Sequence, residues 1–119
     1  MKWLLPFALL GVLWASNVFA QSKCYNATVG NDVTIDNTAG GVTAAAANTN
    51  RCSLIIINVG SENIRCAPST TTVTATAGLL LKPDQGFGIT ESDGGVKLAW
   101  KCIETGGGNS TVSVYQGTK

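Results

Sequence analysis

The chain has 119 residues, with 8 Lys and Arg against 7 Asp and Glu, and it contains no histidine. That length suits one domain, and the near balance of charge offers no basic stripe for a phosphate backbone, which argues against nucleic acid as a partner. The missing imidazole removes the commonest general base and the usual helper of a serine or cysteine nucleophile.

Residues 1–20 read as a signal peptide. Met1-Lys2 gives a positive start, the apolar run from Trp3 to Trp14 is interrupted only by Pro6 and Gly11, and Val18-Phe19-Ala20 suits cleavage after Ala20. An uncleaved anchor would need about 18 clean apolar residues, and Ser16 and Asn17 interrupt the run. The expected product is one domain over residues 21–119, exported and with no stable membrane span after cleavage. Lys2 leaves with the leader, so the remaining Lys and Arg equal the seven acids.

Short strands follow in order. Residues 25–29, 33–35 and 42–47 are the first candidates, bounded by Asn, Asp and Gly. The alanine run 44–47 is too short for a helix stable in water. Residues 52–59 form a branched run, Gly60-Ser61 suits a type II′ turn, and residues 62–66 return as the second arm of a hairpin. After a Ser/Thr-rich loop at 68–72 come strands at 73–76 and 79–81, a proline turn at 82–86, and a strand at 87–90. Asp93-Gly94-Gly95 turns into a strand over 96–103, whose Val96, Leu98, Trp100 and Cys102 alternate with Lys97, Ala99 and Lys101. Gly106-Gly107-Gly108 reads as a flexible hinge before an edge strand at 111–115. Turn signals every ten residues or so predict an all-β fold: a single antiparallel β-sandwich or jelly roll of about eight short strands.

Four cysteines remain in the exported domain: Cys24, Cys52, Cys66 and Cys102. An even count in such a chain reads as two bridges, and the long, irregular gaps disfavour a zinc site. In the predicted hairpin, Ile55, Ile57, Ile64 and Cys66 share one face, with Leu54, Ile56 and Cys52 on the other. Cys66 and Cys102 then both face the core and pair, which leaves Cys24 for Cys52. A three-residue turn would reverse this parity.

Candidates for chemistry are few. The carboxylates Asp84, Glu91, Asp93 and Glu104 form the pool for a two-acid hydrolase, with Asp93 and Glu104 the leading pair. Solvated turns account for such residues more simply. The glycine run lacks the Lys-Ser/Thr ending of a phosphate loop. Trp100 reads as core, its indole N–H seeking a carbonyl. The sequons Asn26-Ala27-Thr28 and Asn109-Ser110-Thr111 matter only in a host that glycosylates them. No catalytic residue, metal ligand or cofactor is predicted.

Certain residues carry a resemblance. Ala47-Asn48-Thr49-Asn50-Arg51 runs into residues 53–61, then Ile64-Arg65-Cys66, residues 73–78, Leu81-Lys82-Pro83-Asp84-Gln85, Leu98-Ala99-Trp100-Lys101-Cys102 and Thr111-Val112-Ser113-Val114. This order resembles small β-sandwich modules of tailed-phage virion proteins: head decorations, fibres and spikes. In them an arginine opens the first long strand, an Asn-x-Gly turn closes it, and a proline turn follows a leucine strand. The leader and the cysteines depart from that pattern, since particles assembled in the cytoplasm use neither.

The resemblance implies a non-enzymatic structural or adhesive surface module, virion-associated, whose partners are other protein subunits. The alternative is a secreted binding protein for a glycan or small ligand, using loops that carry Ser69, Thr70 and Thr71, and Asn109. The expected location is secreted, periplasmic or extracellular, or the virion surface.

Overall fold

The computed structural model describes residues 24, 26–28 and 30–119. The predicted leader lies outside them, as do residues 21–23, Tyr25 and Val29. The described chain forms nine strands: β1 (Asn26–Thr28), β2 (Asp32–Ile35), β3 (Val42–Ala45), β4 (Arg51–Asn58), β5 (Ile64–Pro68), β6 (Leu79–Leu81), β7 (Gly86–Thr90), β8 (Trp100–Glu104) and β9 (Ser110–Thr118). Its one helical element is a 3-10 turn at Glu91–Asp93.

β1 and β2 lie end to end along one side of β9, whose other side pairs with β4, which in turn pairs with β7. The second sheet runs β3-β8-β5-β6. All pairings are antiparallel. This strand order is that of a jelly roll, two packed sheets wound as paired Greek keys.

Period-two alternation builds the core. Leu54 and Ile56 on β4 and Val112 and Val114 on β9 point inward, facing Ile64 and Cys66 on β5 and Trp100 and Cys102 on β8. Each fully buried Leu or Ile contributes about 1.5–3 kcal/mol. Trp100 donates its indole N–H to Gly95 O at 3.0 Å and packs on Phe87 with ring centroids 4.9 Å apart. A smaller cluster of Ala67, Val73 and Ile103 forms separately from this core.

Several sequence expectations are corrected. The predicted hairpin over 52–66 does not form, because β4 and β5 belong to different sheets. The phase of β4 is opposite to that expected: Leu54 and Ile56 are buried, whereas Ile55 is 43% exposed. The reason lies at the strand end. Asn58 is buried and donates its amide to Glu62 O at 2.7 Å and Leu81 O at 3.0 Å, which ties the connection to the other sheet. A Cβ at Gly60 would lie 2.1 Å from Ser110 Oγ, so the crossing also needs a glycine for close approach.

The strand expected at 96–103 starts only at Trp100, because the carbonyls of Val96 and Leu98 turn to the Arg51 guanidinium. Residues 73–76 form a turn instead of a strand. Thr74 N–H donates to Ala77 O, and Thr74 Oγ1 accepts the Ala77 N–H, both at 3.0 Å. The segment at 111–115 belongs to a nine-residue strand in the interior of its sheet, not to an edge. The glycine run is tied down rather than hinged, since the Glu104 carboxylate accepts the N–H groups of Gly106 and Gly107 at 2.6 Å each. The proline turn forms as expected: Gln85 N–H closes on Lys82 O at 3.0 Å, with Asp84 at φ 66°.

Two disulfides staple the sandwich, Cys24–Cys52 and Cys66–Cys102, with Cα–Cα distances of 5.8 and 4.1 Å. The second pair is set by direct opposition of Cys66 and Cys102 across β5 and β8, not by the hairpin parity. Each closes a loop worth about 3–4 kcal/mol on the chain-entropy model.

Candidate interaction surface

Among the described residues the buried polar side chains are Arg51, Asn58, Glu104 and Ser110. Arg51 opens β4 at a register shift against β9, and both Arg51 and Cys52 are buried there. Its guanidinium donates to Val96 O at 2.6 Å, Leu98 O at 2.5 Å, Ala46 O at 2.8 Å and Gln116 Oε1 at 2.9 Å. These partners are all neutral oxygens. Desolvation pulls its pKa below the ordinary guanidinium value. The cation thus binds the first sheet to the segments that lead out of β3 and into β8.

Asn58 does the same at the far end of β4. Besides its two donated bonds, its Oδ1 accepts Ser110 Oγ–H at 2.8 Å and Gly60 N–H at 3.1 Å. Among the described residues every buried side-chain nitrogen and oxygen has a hydrogen-bond partner. The buried polar groups are therefore committed to architecture.

The predicted hydrolase pair is not assembled. Asp93 is exposed and accepts Thr90 N–H at 2.8 Å. It follows β7 at the end of the sandwich where Thr90 opposes Ser53. Glu104 opposes Ile64 at the other end, where it holds the glycine run. Glu91 pairs with Lys119 at 2.7 Å, and Asp84 sits in the proline turn. No three His, Cys, Asp or Glu among the described residues converge on a point that could hold a metal.

The two candidate binding loops are separated as well. Ser69, Thr70 and Thr71 are exposed at the Trp100 end, where Ser69 N–H donates to Ala99 O. Asn109 is exposed at the opposite end, beside Ser110. A cavity of about 200 Å³ opens between β2, β3 and β9, lined mainly by Val33, Ala44, Ala45 and Val114, with Asn31 and Gln116 at its polar side.

Exposed apolar side chains concentrate elsewhere. On the outer face of the first sheet, Ile55 opposes Tyr115, which is 40% exposed. Ile55 also leans over Gly88, and Ile57 over Gly86, because those β7 positions carry no side chain. At the rim between β6 and β7 the core-facing residues stay partly open. Leu79 opposes the buried Cys66 yet is 47% exposed, and Phe87 and Ile89, which oppose Ile56 and Leu54, are only half-buried. Sequence reading missed this surface. The alternation in Gly86-Phe87-Gly88-Ile89 was the available signal: a strand with nothing on its outward face.

No family model matches the chain, and no curated protein matches it in sequence. Among solved structures, a cupin-2 domain-containing protein from Shewanella frigidimarina is similar with a TM-score of 0.44 and 9% identity, covering 87% of this chain and 91% of that one. Protein NMB1881 from Neisseria meningitidis is similar with a TM-score of 0.43 and 5% identity, covering 87% and 95%. At these scores neither likeness adds to what the strand order itself establishes.

Proposed function

We propose that this protein is an exported, non-enzymatic structural or adhesive surface module that works through contacts with other protein subunits, in the manner of a virion decoration or fibre. The supporting observation is the distribution of surface. Half-open apolar residues gather at the β6–β7 rim and beside it, whereas the buried polar side chains of the described residues all have hydrogen-bond partners within the chain. Patches of this kind mark interaction sites. Two disulfides fit an oxidising, non-cytoplasmic compartment. Jelly rolls recur in capsid and lectin domains, although architecture by itself does not assign a role.

The test is immunogold electron microscopy and crosslinking of native particles and envelopes from the producing cells. Labelled particles or envelope, with crosslinks to a second protein chain, are expected. A protein found only as a free monomer in the medium would overturn the proposal.

A further inference from the structure

The four sheet edges differ in how they are defended against pairing. The β1/β2 edge is interrupted between its two strands, β3 has four residues and a register shift, and β6 has three residues. β7 has five residues in unbroken register with β4, without proline or charge. Among the described residues no strand lies beyond it.

The ladder shows which groups face outward. Asn58 N–H donates to Gln85 O at 2.8 Å, just past the end of the β4–β7 register. Antiparallel bonding alternates along a strand, so Phe87 and Ile89 direct their backbone groups to β4, while Gly86, Gly88 and Thr90 direct theirs to the free edge. Thr90 fits this phase, since its N–H is taken by Asp93 Oδ2 at 2.8 Å. Gly86 and Gly88 remain as the open donors of the edge.

We infer that the β7 edge pairs antiparallel with the β7 edge of a second copy of this chain, centred on Phe87. This rests on the reading of the protein as an assembling module and names its partner. In this register Gly86 of one copy faces the partner's Gly88, and each gives its N–H to the other's carbonyl. Asp93 stops the ladder there by holding Thr90. Phe87 faces the partner's Phe87 as a non-hydrogen-bonded pair, whose Cα atoms lie about 4.5 Å apart and whose side chains approach closely. The Phe87–Trp100 contact of each copy then becomes one aromatic row.

Gly86-Phe87-Gly88 reads the same in both directions about Phe87, so in an antiparallel pairing the strand is complementary to a copy of itself. The glycines present no side chain to block the approach, and the half-open Phe87 and Ile89 are covered.

Sedimentation velocity and hydrogen exchange on the purified, oxidised protein test the pairing. A dimer that dissociates on dilution is expected, with the Gly86 and Gly88 amides protected only in the dimer. Gly88→Pro removes an outward N–H where an edge strand tolerates proline, and should weaken dimerisation at least ~10-fold, a loss of about 1.4 kcal/mol, with the circular dichroism spectrum unchanged. Phe87→Cys should crosslink to itself, because the facing Cα distance fits a disulfide, and Ile89→Cys should not. A monomer at every concentration with both glycine amides unprotected would overturn the pairing, as would a dimer that Gly88→Pro leaves intact. If native particles or envelopes nevertheless carry the protein, the surface-module reading survives that result; if they do not, both fall.

Discussion

The two ends of β4 meet one requirement with different chemistry. Each end must hold a segment of the opposite sheet, and each does so with a buried side chain that reaches backbone carbonyls. At the start, Arg51 uses a full charge to hold Ala46, Val96 and Leu98. At the finish, Asn58 uses a neutral amide to hold Glu62 and Leu81 and also accepts two bonds. The amide is both donor and acceptor, so it closes a compact turn. The guanidinium offers five donors and no acceptor, so it suits a place where several carbonyls converge. A buried charge can thus be satisfied without a counter-ion when enough neutral oxygens surround it.

Removing the cation should have the largest effect. Arg51→Met is expected to cost about 3–5 kcal/mol in urea denaturation, since three carbonyls lose their partner together. Arg51→Lys should recover only part of this, because an ammonium lacks the planar fork. If lysine restored full stability, charge rather than geometry would be the working feature at that end.

Asn58→Ala should follow at about 2–4 kcal/mol by the same measurement, for two carbonyls and the Gly60 and Ser110 donors left unpaired. The ends lie at opposite termini of an eight-residue strand, so the double variant should be additive within about 0.5 kcal/mol. A larger coupling would mean that the two hubs act as one network.

Glu104→Gln tests a third, more local use of a buried polar group. It keeps one acceptor oxygen of the two, and a loss of about 1–2 kcal/mol is expected. Faster hydrogen exchange should be confined to Gly106 and Gly107. Spread of that effect into β8 would show that the glycine run supports the sheet.

The smallest effect belongs to Asp36. Its carboxyl is held below the ordinary carboxylate value by hydrogen bonds from the Thr38 side chain and backbone. A folded-state pKa below the unfolded one contributes stability above the ordinary carboxylate range and loses it as pH falls through the folded midpoint. Carbon-detected NMR titration should place the Asp36 midpoint below that of an unstructured aspartate, and Thr38→Ala should raise it.

Local chemistry in the sequence determined the class of the fold. Alternation with period two, Gly, Asn and Pro at the turns, and an even set of cysteines led to a disulfide-bearing antiparallel sandwich, and the turn at Pro83 was legible residue by residue. Only the tertiary structure decided which face of residues 51–58 is the core, because a strand shows its alternation but not its phase until its partners are known. β4 lies between β7 and β9, the latter about 60 residues away along the chain, and no local signal reports such a pairing. The roles of Arg51 and Asn58, the separation of Asp93 from Glu104, and the open β7 edge all follow from that long-range choice. Each depends on which sheet a strand joins, and hydrophobic burial across two sheets settles that only when the whole chain packs at once.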